Sequence, residues 1–186
     1  MKVLTLQENL SRGLSLVSRV VSSRAQLPIL SNVLLATDKG RLKLSATNLE
    51  TGINYWLGAK IEKEGAISVP AKTLTEFISL LPPEKVQLEV KENNLRITSG
   101  SYSANLVGLP ASEFPVVPSL KEEKTFSLSS EELLKGISQT IFAASQDEGR
   151  PVLTGVFFQL RGEDLVLVAT DGYRLSFKKM KAGKNL

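Results

Sequence analysis

Two stretches of the chain match each other: Val3-Leu-Thr-Leu-Gln-Glu-Asn-Leu-Ser-Arg-Gly-Leu14 and Phe126-Ser-Leu-Ser-Ser-Glu-Glu-Leu-Leu-Lys-Gly-Ile137. The same offset, without a gap, pairs Glu8 with Glu131, Leu10 with Leu133, Gly13 with Gly136, Pro28 with Pro151, Leu30 with Leu153, Val33 with Val156, Leu42 with Leu165, Leu44 with Leu167, and Ala46-Thr47 with Ala169-Thr170. Roughly a dozen identities over about sixty positions are more than chance produces. The chain therefore contains an internal repeat.

The residues inside the repeat predict strands arranged around single helices. Apolar and polar residues alternate over residues 1–6, 42–44, 86–90 and 95–98, which is the period of half-buried strands. A helix is predicted over residues 7–21, with an apolar stripe formed by Leu10, Leu14, Val17 and Val21. A second helix is predicted over residues 72–81, with a stripe formed by Leu74, Phe77, Ile78 and Leu81. The order β-α-β-β-β thus occurs twice in the first part of the chain.

Turn residues and prolines mark where these elements end. Asp38-Lys39-Gly40 and Glu92-Asn93-Asn94 lie between strand patterns, where tight hairpin turns are expected, and Pro82-Pro83 ends the second helix. The proline-rich stretch 110–118 is typical of a linker region. We expect a first domain over residues 1–118, a linker over 119–124, and the first half of a truncated second domain over 125–186.

The composition excludes several classes of chemistry. The 186 residues include no Cys and no His, which excludes disulfides, thiolate nucleophiles, His-based triads, and metal sites built on Cys or His. We predict no cofactor, no metal site and no catalytic residue. Because no apolar run could span a bilayer and a strand pattern follows Met1 directly, we expect a cytoplasmic protein with no membrane partner. The net charge of +4 is compatible with a polyanionic partner.

Cations and small hydroxyl side chains lie on the polar faces of the predicted helices. These faces carry Arg12, Ser15 and Arg19 on the first helix, Lys72, Thr75 and Ser79 on the second, and Lys135, Ser138 and Gln139 on the third. Such a surface suits contact with phosphates without reading bases. A solvated helix face with no binding role is the alternative, and spacing alone does not decide between the two.

The loop after the first helix allows the same two interpretations, phosphate contact or a solvated surface with no binding role. It carries Arg24, and its counterpart in the second copy carries Gln146 and Arg150. Cations and amides that recur at one loop position suit phosphate contact at the edge of a groove. Exposed loop arginines also occur simply because they aid solubility.

Five further strings occur in order along the chain. They are Leu27-Pro28-Ile29-Leu30-Ser31-Asn32, Ala46-Thr47-Asn48-Leu49-Glu50, Val69-Pro70-Ala71-Lys72, Leu109-Pro110-Ala111-Ser112-Glu113-Phe114-Pro115 and Ala169-Thr170-Asp171-Gly172-Tyr173-Arg174-Leu175. With these strings the whole chain resembles the bacterial DNA polymerase III beta clamp family. The resemblance implies the DNA-clamp fold, an α+β fold of repeated βαβββ units with helices lining a channel and antiparallel sheets outside.

The resemblance also implies a function. Members of this family are non-catalytic sliding clamps that encircle double-stranded DNA without sequence preference and tether the replicative polymerase for processive synthesis. Three domains form each subunit, and a head-to-tail homodimer closes the ring. The implied partners are DNA, the replicative polymerase subunit, the clamp loader and other proteins with a clamp-binding motif.

Particular residues receive roles from the same resemblance. The implied DNA-binding residues are Arg12, Arg19, Arg24, Lys72, Lys135, Gln146 and Arg150. One wall of a peptide-binding cleft is implied for Leu153, Thr170, Gly172, Tyr173, Arg174 and Leu175, with Tyr173 where some members have His. The implied dimer edge spans residues 101–107 and includes Tyr102, Ala104 and Leu106. Apolar contact through the leucines and close backbone approach at Gly172 both suit an extended peptide.

Two alternative functions can be weighed without the family resemblance. A metal-dependent nuclease would have to use Glu113, Asp147, Glu148 and Asp171, but no paired-carboxylate or phosphate-loop motif accompanies them. A β-rich adaptor that binds proteins and never encloses DNA is the second alternative. Steep salt dependence of DNA association would argue against the adaptor.

Overall fold

The computed structural model describes residues 1–21, 27–117 and 127–182. The chain divides into two compact units, Met1–Ser119 and Leu120–Leu186. Across the three described ranges, no helix combines the length and apolar character needed to cross a bilayer.

Unit 1 is built from antiparallel strands and two α-helices. In chain order its elements are β1 (Lys2–Leu6), α1 (Gln7–Val17), β2 (Asn32–Asp38), β3 (Arg41–Thr47), β4 (Gly52–Gly58), β5 (Lys60–Lys63), β6 (Ala66–Pro70), α2 (Ala71–Leu80), β7 (Lys85–Lys91), β8 (Asn94–Ser99) and β9 (Tyr102–Val107). They form a five-stranded sheet in the order β5-β1-β7-β8-β9 and a four-stranded sheet in the order β4-β3-β2-β6. The α+β order predicted from the sequence is confirmed, and β5 is an additional strand that the sequence pattern did not predict.

The two halves of unit 1 exchange strands. The strand before α1, which is β1, pairs with β7 from the second half, with Val3 opposite Leu88. The strand before α2, which is β6, pairs with β2 from the first half, with Val33 opposite Val69. Each sheet therefore needs strands from both halves, and one buried cluster of apolar side chains runs through the whole unit.

The first helix is shorter than the sequence pattern predicted. After Val17 the chain tightens into a 3₁₀ turn over Ser18–Val20. Residues three apart eclipse each other in a 3₁₀ turn, so Val20 follows Val17 into the core. Val21, which an unbroken α-helix would place on the buried stripe, is only partly buried.

The predicted hairpin turn after β2 and the predicted end of the second helix are both present, for local backbone reasons. Between β2 and β3, Lys39 and Gly40 both have positive φ, 47° and 75°, which is the backbone of a type I′ hairpin turn. The α2 helix ends at Leu80, and Leu81 is extended because the following Pro82 disfavours the helical conformation of the residue before it.

Unit 2 repeats the first half of unit 1. It contains α3 (Ser130–Ser138), β10 (Phe157–Arg161), β11 (Asp164–Thr170) and β12 (Leu175–Lys181), with the strands in the order β10-β11-β12. The hairpin register is the same in both copies, with Thr47 opposite Gly52 and Thr170 opposite Leu175. The predicted repeat is therefore present in the structure for α1 and β2–β4, whereas residues 127–129, the described counterparts of the end of β1, form no strand.

The core of unit 2 is small. Leu165, Leu167 and Ala182 form its buried apolar centre. Large apolar side chains remain exposed around it, including Leu134, Phe157, Phe158, Leu160 and Phe177. Among the described residues, β10 has no strand on the edge that corresponds to the β2 edge covered by β6.

Candidate functional site

The helix layer of unit 1 carries the cations predicted from the sequence. Arg12 lies on α1 and Arg19 lies in the 3₁₀ turn that follows it, and both side chains are exposed. Lys72 lies in the first turn of α2 with 86% of its side chain accessible. The two helices are neighbours, and the hydroxyl groups of Ser18 and Thr75 lie 3.0 Å apart across them. Unit 1 thus presents three exposed cations on one layer of helices.

An open groove of about 680 Å³ lies beside Lys72. Its lining includes Ser18, Val21, Ala71 and Thr75 and is mainly apolar, with hydroxyl groups from Ser18 and Thr75. The Lys72 ammonium lies 4.0 Å from the carboxylate of Glu76, one helical turn away. A pair this long and exposed contributes little stability, so the Lys72 charge is available to an anionic ligand.

The loop arginine predicted to contact DNA, Arg24, lies outside the described residues. The cation predicted on the third helix, Lys135, is exposed on α3. It lies in the last turn, where a positive charge also interacts favourably with the helix dipole. That placement gives Lys135 a local structural role besides any phosphate contact.

Residues predicted for two different surfaces meet in unit 2. An open groove of about 590 Å³ is lined by Gln146 and Arg150 from the predicted DNA loop and by Tyr173 and Arg174 from the predicted peptide wall. The Arg150 guanidinium lies 3.5 Å from the position that a Cβ on Gly172 would occupy. Sequence reasoning separated these residues by function, whereas the fold brings them together.

The loop between β11 and β12 is held by its own side chains. The Asp171 carboxylate accepts hydrogen bonds from the backbone N–H groups of Tyr173 and Arg174, both at 2.9 Å. Its other oxygen accepts a 2.9 Å bond from Nε of Arg174. The N–H groups of Arg174 and Tyr173, together with the Arg174 guanidinium, hold the pKa of the Asp171 carboxyl below its ordinary value. Asp171 is therefore a charged anchor of this loop.

The remaining predicted wall residues differ in exposure. Tyr173 projects from the loop with 95% of its surface accessible, and Leu175 at the start of β12 is also exposed. Thr170 is partly buried and its hydroxyl donates to the carbonyl of Arg174 at 2.7 Å. Leu153 is partly buried in a 3₁₀ turn, where its carbonyl accepts a 2.9 Å bond from the N–H of Ser145. Leu175 and Tyr173 are thus the wall residues most accessible to a ligand.

Phe142 and Asp171 are among the groove residues to which the sequence analysis assigned no binding role. Phe142 lies in the 3₁₀ turn Ile141–Ala143 with its ring 5.8 Å from the Arg174 guanidinium. Asp171 was considered only as a possible catalytic acid. The repeat held a signal for Phe142, because its counterpart at the same offset is Arg19, a predicted binding residue.

The predicted dimer edge is an outer strand of the five-stranded sheet. Strand β9 pairs with β8 on one side, and among the described residues no strand covers its other side. Tyr102 is exposed, whereas Ala104 and Leu106 are partly buried, and Leu106 packs against the core of unit 1. The exposed apolar side chains on this edge are therefore Tyr102 and Val107.

The carboxylates considered for a nuclease are dispersed or already engaged. Across the described residues, no three acidic side chains lie close enough together to hold a metal ion. The Asp171 carboxylate holds its own loop, and Asp147 forms a 3.6 Å ion pair with Arg150.

Two family models match the chain. The model described as DNA polymerase III beta subunit, N-terminal domain, matches residues 1–118, and the model described as the central domain of the same subunit matches residues 127–186. Each unit of the structure therefore corresponds to one matched region.

Curated proteins and solved structures show the same similarity. The beta sliding clamp of Synechococcus elongatus is 41% identical over 182 residues, which are 96% of this chain and 48% of that protein. The beta sliding clamp of Bacillus subtilis is 32% identical over 97% of this chain and 50% of its own length. The Caulobacter crescentus pol III beta structure has a TM-score of 0.91 and 36% identity, with 99% of this chain and 52% of that chain covered. The chain spans about half the length of these relatives.

Proposed function

This chain belongs to the DNA polymerase III beta subunit family, and we propose that it is part of a sliding clamp that encircles double-stranded DNA. The clamp tethers the replicative polymerase and catalyses no reaction itself. Its other partners are the clamp loader, proteins with a clamp-binding motif, and a second copy of the same subunit. The observation that carries this proposal is that two clamp-type units follow each other in one chain, in the order of the family's N-terminal and central domains.

In this proposal residues 1–118 form the first domain, 119–124 the linker and 125–186 the opening half of the second domain. The internal repeat supports the assignment, because α3 and β10–β12 correspond to α1 and β2–β4 alone. The exposed phenylalanines around β10 and the small core of unit 2 suit a partner layer in the intact domain.

The DNA-facing surface is the helix layer. Arg12, Arg19 and Lys72 are exposed there, and Lys135 occupies the corresponding helix of unit 2. Gln146 and Arg150 in unit 2, and Arg24 in the sequence after α1, are the further residues that we propose to contact DNA in their own units. Cations spread among small hydroxyl side chains attract phosphates without fixing a register on the bases. A clamp needs this property, since it must slide along any sequence.

The protein partners bind the predicted peptide wall of unit 2, of which Tyr173 and Arg174 line the groove. The wall formed by Leu153, Thr170, Gly172, Tyr173, Arg174 and Leu175 offers an apolar contact, a cation and a glycine for close backbone approach. Ring closure uses β9, because an open antiparallel edge can pair with a strand of a second subunit.

Topological retention tests the proposal directly. Full-length protein is loaded on closed circular DNA with its clamp loader, the circle is cut once, and retention is followed. Rapid loss on linearisation with stable retention on the uncut circle is the expected result for an encircling clamp. Equal retention on both forms would instead mean ordinary surface binding and would favour the protein-binding adaptor.

A charge-reversal variant tests the DNA-facing surface. Replacing Arg12, Arg19 and Lys72 together by Glu removes three phosphate contacts, and each contact contributes about 0.9 to the slope of log affinity against log salt. We expect the magnitude of this slope for duplex DNA to decrease by about 2.7, so that binding becomes less dependent on salt. The matched control replaces Lys60 and Lys63 of β5 by Glu, which also reverses exposed charges but on a strand at the edge of a sheet. If both variants change the slope by the same amount per charge, net charge rather than the helix layer governs binding.

A further inference from the structure

The loop of the predicted peptide wall has a structural twin in unit 1. In unit 1, Asn48 Oδ1 accepts from the N–H groups of Glu50 and Thr51, and the Thr47 hydroxyl donates to the Thr51 carbonyl at 2.9 Å. In unit 2, Asp171 Oδ1 accepts from the two equivalent N–H groups, and the Thr170 hydroxyl donates to the Arg174 carbonyl at 2.7 Å. The backbone of the loop is thus set by hydrogen bonds that both copies share.

The residues after each Asx position also adopt the same unusual backbone. Leu49 has φ of 76° and Gly172 has φ of 93°, both in the left-handed region. The Leu49 side chain is 62% exposed in unit 1, whereas a Cβ at the equivalent Gly172 would lie 3.5 Å from the Arg150 guanidinium. The twin loops therefore share their conformation and differ in what they present to a ligand.

Three differences convert the unit 2 loop into a site with a fixed cation. Asn48 is replaced by Asp171, Thr51 by Arg174, and Arg19 by Phe142. The second Asp171 oxygen, which in unit 1 is an amide group, receives the 2.9 Å bond from Arg174 Nε. The Phe142 ring lies 5.8 Å from the same guanidinium, within the range of a cation–π contact.

These contacts orient the Arg174 side chain and leave its outer end available. Its side chain is 60% accessible, and within the described part of the chain its side-chain hydrogen bonds are confined to Nε. The two terminal amino groups of the guanidinium are strong donors for a carbonyl or carboxylate oxygen. An arginine that is held before binding loses less conformational entropy when a ligand arrives.

We propose that Asp171 and Phe142 are positioning residues that fix the Arg174 guanidinium to donate hydrogen bonds to an acceptor oxygen of a bound partner peptide. This inference rests on the proposed function, because the ligand is the peptide of a clamp-binding protein. The shared backbone hydrogen bonds hold the loop in both units, and the ion pair with Arg174 serves binding in unit 2.

The test exploits the twin loop. Asp171→Asn keeps the oxygen that accepts the two backbone bonds, as Asn48 does in unit 1, and removes the charge that holds Arg174. Binding of a fluorescein-labelled peptide carrying the clamp-binding segment of the replicative polymerase subunit is measured by anisotropy on the full-length protein. We expect roughly three- to tenfold weaker binding for Asp171→Asn and about two- to fivefold for Phe142→Leu. The control Asn48→Asp, the mirror change in unit 1, is expected to leave the affinity unchanged.

A double-mutant cycle separates positioning from loop folding. With Arg174→Gln already present, Asp171→Asn is expected to cause no further loss. An equal loss in that background would overturn the inference, because Asp171 would then act by holding the loop itself. Unchanged affinity for Asp171→Asn in the otherwise unmodified protein would overturn it as well. If the unmodified protein fails to bind the peptide, the proposed peptide-binding role of unit 2 is overturned and the role of Arg174 falls with it, whereas the encircling of DNA is tested separately by retention on circular DNA.

Discussion

A pair of glycines at equivalent positions of the repeat provides a stability prediction with an internal control. Gly13 in α1 and Gly136 in α3 both lie where a helix packs on a sheet. A Cβ on Gly13 would lie 2.8 Å from Cδ1 of Tyr55 and 2.9 Å from Cδ1 of Leu44. A Cβ on Gly136 would meet Sδ of Met180 at 3.1 Å. The first contact requires a ring and a leucine to move, and the second only the end of a flexible thioether.

The expected energies follow from two opposing effects. Replacing a helix-interior glycine by alanine stabilises the helix by about 1 kcal/mol in either unit. Forcing an extra carbon into a packed interface costs about 1–3 kcal/mol. Because the gain in helix propensity is common to both sites, the difference in unfolding free energy between the two variants reports how much larger the steric cost is at Gly13. Gly13→Ala is therefore expected to be about 1–3 kcal/mol less favourable than Gly136→Ala, and Gly136→Ala is expected to stabilise unit 2.

Hydrogen exchange measured by mass spectrometry suits this comparison, because it reports each unit separately in one chain. The opening free energy is read from peptides of β3 for Gly13→Ala and of β11 for Gly136→Ala, each against the unmodified protein. Equal changes in the two units would refute the reasoning, since they would show that helix propensity alone determines the effect. A stabilised β3 in Gly13→Ala would refute the packing account of α1.

Two further predictions concern charged side chains on the sheets. The ammonium groups of Lys179 and then Lys181, each 2.8 Å from the Asp164 carboxylate, lower the pKa of the Asp164 carboxyl, so this group stabilises unit 2 above its unfolded pKa and the contribution is lost as pH falls through its folded pKa. Asp164→Asn is expected to flatten the acid dependence of β11 hydrogen exchange below pH of about 4, and an unchanged profile would contradict the assignment. Separately, Trp56 Nε1 donates a 2.7 Å bond to Asp38, and Trp56 is the single tryptophan of the chain. Asp38→Ala is expected to lower the stability of unit 1 by about 1 kcal/mol in urea unfolding followed by Trp56 fluorescence, whereas Asp38→Asn, which keeps an acceptor, should lose less.

Most of the fold could be predicted from local patterns. The positions of α1 and β3 follow from periodicity, and Lys39-Gly40 and Pro82 mark their own turn and break, because these signals act over a few neighbouring residues. The repeat predicted β11 from β3, through pairs such as Leu42 with Leu165 and Leu44 with Leu167. The end of α1 was predicted four residues too late, because the shift to a 3₁₀ turn depends on how Val17 and Val20 pack against the core.

The binding surfaces were less predictable than the fold. Exposure of Arg12 and Lys72 followed from their place opposite an apolar stripe. Other features depend on which loops and strands meet in space. Examples are the position of Arg150 beside Gly172 and the inward packing of Leu106. Whether these residues bind DNA, a peptide or a second subunit stays a prediction for the experiments above.

The sequence by itself determined the repeat, the α+β class and the absence of His and Cys chemistry, because composition and short-range periodicity are properties of the chain alone. It also carried the family resemblance, which the two family models confirm. Only the tertiary structure decided that β1 and β6 exchange between half-units and that Phe142 lies against Arg174. Such contacts join residues far apart in sequence, and their geometry is set by the packing of the whole unit rather than by any local pattern.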